Sequence, residues 1–165
     1  MHTLTQPARL APARRAGAWL SMLTLAALLS GCSEPRGPIP GGELRGTEQP
    51  VPDDWSFTAA TEDFQLETQP SDPYSVNVWA VDIGAVLYVA AGGGGTTWAQ
   101  YMQQDPNVRL RDGDAIYPLQ AQLVTDIDEL LAIRKRFEAK YDLGEIGDDA
   151  DDALVFALTP RVASN

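Results

Sequence analysis

The chain has 165 residues, of which 23 are acidic and 12 basic, for a formal net charge of −11. Its one cysteine, Cys32, excludes an internal disulfide, and with one histidine, His2, it provides too few groups for a Cys/His zinc site. So acidic a chain is not expected to bind nucleic acid or anionic lipid through a basic patch.

The N-terminus has the pattern of an exported bacterial lipoprotein. Three arginines precede an apolar run without acids, 16–29, which is too short and wrongly flanked for a stable transmembrane helix. The sequence LSGC at 29–32 matches a lipobox, which predicts cleavage before Cys32 and diacylglycerol on its sulfur. We therefore expect 1–31 to be a signal peptide and Cys32 to carry palmitate-type lipid, because multiple acyl chains anchor stably.

The expected location is the cell membrane or the outer membrane, with the domain facing the periplasm or the extracytoplasmic space. Ser33 stands where an aspartate is associated with inner-membrane retention in some bacteria, which favours the outer membrane. Removal of the signal takes away His2 and three arginines but no acid, and lipid occupies the only thiol. The mature chain therefore lacks the groups for Cys-His or Ser-His-Asp catalysis.

Composition divides the mature chain into two parts. Residues 33–52 contain five prolines and four glycines with few apolar side chains, so 32–52 is predicted to be the lipidated cysteine and an extended tether. One folded domain, 53–165, follows, and it is long enough to bury a single core.

The folded part begins with strand patterns. Asp63–Thr68 alternates as an edge strand before two prolines, and Ser75–Val81 has β-branched and aromatic residues with period two. A turn at Asp82–Gly84 leads into Ala85–Ala90, a continuously apolar strand typical of a sheet covered on both faces. These two segments predict a hairpin.

Helices and strands alternate in the second half. A short helix is predicted over Trp98–Gln104, and a second hairpin joins Val108–Arg111 to Ala115–Thr125 through Asp112–Asp114. A longer helix begins at Asp126 or Asp128 and ends at Tyr141. Its stripe is formed by Ile127, Leu130, Leu131, either Ile133 or Arg134, and Phe137. Ala153–Thr159 is the last strand. The fold class is α+β, a small barrel of mainly antiparallel strands with two inserted helices.

The stretch GGGGTTW, 92–98, lies between a strand and a helix start, where free backbone amides and the helix dipole suit an anion. It is neither GxGxxG nor a Walker loop, so locally a flexible connection and a ligand loop both remain open. The acidic loop 145–152 lacks the spaced glycine and final glutamate of an EF-hand and is typical of a solvated charge run. No metal site is predicted.

The order of these elements resembles a known family. The segment VNVWAVDIGAVLYVAAGGGGTTWAQYMQQDPNVRLRDGDAIYPLQAQLVTD, with RFEAKYD and FALTPR, is similar to the split β-barrel flavin-binding superfamily over about 72–161. The nearest branches are small uncharacterised domains, pyridoxamine-phosphate-oxidase-like proteins and deazaflavin-dependent nitroreductases. The resemblance implies a split barrel that is often a homodimer and binds FMN or the deazaflavin F420 near the glycine-rich turn, the cofactor supplying the redox chemistry.

Transferred by position, the resemblance places ten residues at the cofactor: Val89, Ala90, Ala91, Gly92, Gly93, Gly94, Gly95, Thr96, Thr97 and Trp98. Related sequences carry Arg or Lys around this turn, whereas here the positions hold alanine, glycine, threonine and glutamine. Arg109 and Arg111 are the nearest substitutes in sequence, and their alternation places both on one face of a strand. The missing charges favour a cofactor-free binding or envelope-assembly module over a flavin- or deazaflavin-dependent oxidoreductase. No catalytic residue is assigned.

Overall fold

A computed structural model describes residues 34–93, 95–144 and 152–161. By its internal contacts the chain divides into Met1–Gly31 and Cys32–Asn165, and every described residue belongs to the second unit. None of the helices in these ranges is both long enough and apolar enough to cross a bilayer. The elements in chain order are β1 (Thr47–Glu48), a 3-10 helix (Ser56–Ala60), β2 (Phe64–Thr68), β3 (Tyr74–Val78), β4 (Ala80–Ile83), β5 (Val86–Ala91), α1 (Thr97–Gln104), β6 (Asn107–Asp112), β7 (Ala115–Leu123), α2 (Ile127–Tyr141) and β8 (Leu154–Pro160).

The strands form one curled sheet in the order β3-β2-β6-β7-β8-β5-β4, and β1 pairs in parallel with the start of β7. All other neighbours are antiparallel. β3 and β4 lie at opposite ends of this order, yet only Trp79 separates them in the chain. The sheet must therefore curl until its two ends meet. The predicted α+β barrel with two inserted helices is confirmed.

Both predicted hairpins are present, and each turns at a glycine in the left-handed region, Gly84 with φ +62° and Gly113 with φ +59°. Two strand predictions are wrong in detail. The segment 75–81 is not one strand, because it breaks at Trp79 and its halves pair with β2 and β5. The segment 63–68 is not an edge strand, because β2 lies between β3 and β6.

β5 separates two apolar layers, as its continuous apolar sequence predicts. Leu87 and Val89 point into the barrel core, whereas Tyr88 and Ala90 point toward α2. The barrel core also holds Trp55 and Phe156, which are almost fully buried. Alternation along one strand thus supplies both the core and the seat of α2.

α2 starts as predicted, because the Asp126 side chain caps it by accepting a hydrogen bond from the Glu129 amide. Ile133 and Phe137 are buried beneath it. The predicted apolar stripe is only partly correct, since Ile127 is 72% exposed and Leu131 is 51% exposed. The start of α2 therefore presents apolar side chains at the surface.

The N-terminal part of the expected tether is packed. We call residues 34–45 the strap. Leu44 is 1% exposed, Pro35 is buried, and the Gly41 amide and carbonyl pair with Ser75 of β3. This differs from the unpacked chain that composition predicts, because strap backbone groups find partners on the sheet. Gly46 follows the strap so closely against the β6–β7 turn that a Cβ there would meet the Asp114 carbonyl.

Candidate functional site

The glycine-rich turn leads into a helix start without a side-chain cap. Thr96 occupies the N-cap position of α1, but its side chain makes no capping hydrogen bond. Its Oγ1 is buried and has no partner within the described residues. The first amides of a helix have no partner inside the helix, so the start of α1 offers neutral donors. This is the anion-suited geometry that the sequence predicts, without a positive charge.

A polar cleft of about 470 Å³ lies beside this helix start. Three structural elements line it: the turn of the strap, the outer strand β3, and the beginning of α1. None of the lining residues carries a formal charge. They are Gly37, Pro38, Ile39, Tyr74, Val76, Asn77, Gly95, Thr96, Thr97, Trp98 and Gln100.

The ten residues that the resemblance places at a cofactor do not lie together in the structure. Gly95, Thr96, Thr97 and Trp98 line the polar cleft. The others are elsewhere or not described: Val89 and Ala91 lie in the barrel core, Ala90 faces α2, Gly92 and Gly93 are exposed, and Gly94 lies outside the described residues. Cys32, the predicted lipidation site, and 145–151 of the acidic loop also lie outside them. Alternation along β5 explains the division, because neighbouring residues of a strand point in opposite directions.

The outer face of β3, β2 and β6 carries two cross-strand rows of polar side chains. Strand register aligns Ser75, Glu67 and Arg109 in one row. The same register aligns Asn77, Gln65 and Arg111 in the other. The strap covers both rows. We call these six residues the polar face.

The first row holds a buried ion pair that clamps the strap. Arg109 donates from Nε and Nη2 to the Glu67 carboxylate at 2.7 and 2.6 Å, and Glu67 is 4% exposed. Glu67 also accepts from the Leu44 amide at 2.6 Å, and Arg109 donates to the Leu44 carbonyl at 3.0 Å. Hydrogen bonding to Glu67 raises the pKa of Arg109. Leu44 is thus held through both of its backbone groups.

The second row contacts the beginning of the strap and its last residue. Asn77 donates to the Gly37 carbonyl at 3.2 Å and Gln65 to the Pro35 carbonyl at 3.5 Å. Arg111 donates to the Arg45 carbonyl at 2.9 Å and forms a 2.6 Å ion pair with Glu34. The hydrogen bond and charge of Arg111 lower the pKa of Glu34.

These contacts determine the role of the two arginines nearest the glycine-rich turn in sequence. Their alternation correctly places Arg109 and Arg111 on one face, but that face binds the strap. Sequence analysis missed Glu67, the buried partner of the partly exposed Arg109. The available signal was an acidic residue in β2 that faces an arginine of β6, which is four strands later in the chain but adjacent in the sheet.

A separate apolar groove of about 320 Å³ runs between the start of α2 and β5 and β8. Exposed apolar side chains form its rim, including Trp79 at 47% and Leu131 at 51%. Among the described residues that line it, the one charged group is Arg134, which pairs with Glu138. These lining residues are Trp79, Ala90, Ile127, Leu130, Leu131, Ile133, Arg134, Phe137, Leu143, Ala153 and Val155.

The end of α2 is joined to the Trp79 break by two adjacent side chains. Tyr141 accepts from the Ala80 amide and stacks on Trp79 at 4.7 Å between ring centres. Lys140 donates to the carbonyls of Ala80 and Thr58 at 2.8 and 3.2 Å. Burial lowers the pKa of Lys140 and raises that of Tyr141. The Lys-Tyr pair of the sequence resemblance therefore stabilises the junction between β3 and β4.

A flavin or deazaflavin phosphate does not fit the polar cleft as this chain builds it. The donors available there are amides, hydroxyls and carboxamides, and no lysine or arginine lines it within the part of the chain that the structure describes. A helix start contributes about 1 kcal/mol toward an anion, whereas a hydrogen bond to a charged group contributes about 1.5–3 kcal/mol. The cleft suits uncharged polar groups better than a dianion.

Comparison with protein-family models gives no match, and neither does comparison with curated protein sequences. Solved structures do match. One is a conserved hypothetical protein from Mycobacterium tuberculosis, with a TM-score of 0.53, 17% identity and coverage of 65% of this chain and 78% of that one. An F420-H2-dependent reductase has a TM-score of 0.53, 16% identity and coverage of 70% and 99%.

A third similar structure is a putative pyridoxamine 5'-phosphate oxidase from Listeria innocua, with a TM-score of 0.51, 18% identity and coverage of 65% and 90%. The fold is therefore that of the small α+β split barrels. At these identities the likeness concerns the fold alone.

Proposed function

We propose that the chain is a lipid-anchored envelope protein whose split-barrel domain binds a partner without a flavin. The observation that carries the proposal is the uncharged lining of the polar cleft, together with the engagement of Arg109 and Arg111 by the strap. A phosphate-bearing cofactor would have no cationic side chain in the cleft, while the split-barrel scaffold is kept.

Cofactor titration of the unit Cys32–Asn165 tests the cofactor-free part. We expect no change in the absorbance or fluorescence of FMN or F420 when wild-type protein is added. Gln100→Arg places a cation on the cleft lining at an exposed position and should create measurable FMN binding. Lys135→Arg, remote from the cleft lining, is the matched control. Stoichiometric uptake of either cofactor by the wild type would contradict the proposal.

The anchor is tested separately by Cys32→Ala in the full chain. The variant should move from the membrane fraction to the soluble fraction and lose incorporation of labelled palmitate. Retention of Cys32→Ala in the membrane fraction would rule out lipid attachment at this residue as the anchor. Because the cleft is not altered, this result is independent of the cofactor titration.

A flavin- or deazaflavin-dependent oxidoreductase is the second candidate. Two observations favour it: the uncapped start of α1 and the unpaired Thr96 hydroxyl, which offer hydrogen bonds to a ligand in the polar cleft. The similar structures include an F420-H2-dependent reductase and a putative pyridoxamine 5'-phosphate oxidase. The same titration decides between the candidates.

A further inference from the structure

The polar face binds the strap in the way that a receptor binds an extended peptide. Five of the six hydrogen bonds that its side chains form with the strap reach backbone atoms, namely the carbonyls of Pro35, Gly37, Leu44 and Arg45 and the amide of Leu44. The sixth joins Arg111 to the Glu34 carboxylate. Gly41 adds two backbone bonds to the outer strand β3, at 2.8 and 2.9 Å. Backbone bonds give affinity in peptide recognition, and individual side-chain positions give specificity.

Leu44 is the large apolar side chain of the strap that is buried. It is 1% exposed, whereas Ile39, the other large apolar residue of the strap, is 66% exposed. A buried anchor combined with exposed neighbours is the usual distribution of energy in a peptide complex. Pro35, near the other end, is also buried, so the sequence requirement on the strap centres on positions 35 and 44.

The polar face also holds groups that the strap leaves without partners. Ser75 is fully buried, and its Oγ has no hydrogen-bond partner among the described residues. In the second row, the buried Oε1 of Gln65 is likewise unpaired. Buried polar atoms are normally paired, so a ligand that pairs with these two would bind better than the strap at these points. A crevice of about 290 Å³ adjoins the second row at Gln65, Asn77 and Arg111.

The strap is bound more weakly at its beginning than at its end, so a competing peptide can displace the beginning first. The Glu34 and Gly37 contacts are exposed, and exposed ion pairs contribute little. The Leu44 contacts involve the buried Glu67. Displacement can therefore proceed from residue 34 toward residue 44.

We propose that the polar face of β3, β2 and β6 is a peptide-binding surface that the strap occupies within its own chain. The partner that it fits is an extended segment of another envelope protein, with free backbone amides and carbonyls and a leucine at the anchor position. The inference rests on the proposed binding-module function and names its partner class. It requires neither the lipid anchor nor the polar cleft.

The test converts the strap into a separate peptide in the folded protein. A site-specific protease sequence is inserted between Arg45 and Gly46 of the unit Cys32–Asn165, and the folded chain is cut there. A fluorescent peptide with the sequence of residues 34–45 is then added and its anisotropy measured. We expect the cut strap to remain bound through gel filtration and the labelled peptide to exchange with it saturably.

Two variant peptides define specificity. The peptide with Leu44→Asp should bind more than about tenfold more weakly, because a charge would enter the buried anchor position, while Ile39→Asp should change affinity less than about threefold. Loss of the strap without binding of added peptide, in a domain with a native near-UV circular dichroism spectrum, would overturn the proposal. Unfolding on cleavage, or a strap that exchanges only on unfolding, would overturn it too. A flavin titration that contradicts the proposed function would leave this result unchanged.

Discussion

Truncation of Leu44 to alanine measures whether the strap belongs to the folded domain. Leu44 and Ile39 lie in the same Pro/Gly-rich segment, but the first is 1% exposed and the second 66% exposed. Composition alone would assign both residues to a free tether. We expect Leu44→Ala to lower the free energy of unfolding by about 2–3 kcal/mol and Ile39→Ala to change it by less than about 0.5 kcal/mol.

The magnitude follows from what the substitution removes. Full burial of a leucine side chain is worth about 1.5–3 kcal/mol, and a residual cavity adds to the cost of its loss. The bonds from the Leu44 amide to Glu67 and from Arg109 to the Leu44 carbonyl use backbone atoms, so they survive truncation. The expected loss therefore consists of apolar burial and the cavity that remains, without a loss of hydrogen bonds.

Urea unfolding of the unit Cys32–Asn165 and the two variants, followed by circular dichroism and tryptophan fluorescence, provides the measurement. Equal small losses for both variants would refute the packing of the strap. If Leu44→Ala leaves the unfolding midpoint unchanged and the strap amides exchange hydrogen rapidly, the strap does not unfold cooperatively with the domain.

Three further outcomes follow from the region around α2. Burial, and then the hydrogen bond to Glu129, raise the pKa of Tyr88 to about 12. Its ionisation signal at about 295 nm should therefore be absent at pH 10.0. Tyr88→Phe should remove the last step of the tyrosine titration. The folded state holds this proton more tightly than an unperturbed tyrosine, whose pKa is 10.0. The stability contributed by Tyr88 is therefore complete below pH 10.0 and is lost as pH rises toward about 12. Urea unfolding compared at about pH 9 and about pH 11 would detect this loss. Tyr141→Phe should lower the free energy of unfolding by about 1–3 kcal/mol, because it leaves the buried Ala80 amide without its acceptor. Lys140→Met should lower the free energy of unfolding by less than about 1 kcal/mol, because it removes a partly buried ammonium. A decrease larger than that of Tyr141→Phe would contradict this expectation.

Local patterns predicted most of the sheet and both helices. The turns at Gly84 and Gly113 have the glycine that a left-handed residue requires, and apolar continuity identified β5 as a strand with two covered faces. The break at Trp79 could not be predicted in this way. It depends on Tyr141, which is distant in sequence and binds both polar groups of the Ala80 backbone.

Contacts between residues distant in sequence could not be predicted for the candidate site either. Alternation placed Arg109 and Arg111 together, but no local pattern indicates that residues 34–45 lie on them. Proline and glycine mark the strap as unlikely to bury apolar surface, and that remains true of all but a few of its side chains. It packs through backbone groups instead, and composition does not report whether those groups have partners.

The docked strap also determines how the domain would respond to a pull. In a chain anchored at Cys32, a force that separates the domain from the membrane acts on residue 34 first. The exposed contacts of Glu34 and Gly37 would yield before the buried Glu67 contact at Leu44. A freed residue spans up to about 3 Å, so the fully released strap could span about 35 Å. The strap would then act as a linker whose length increases with the applied force.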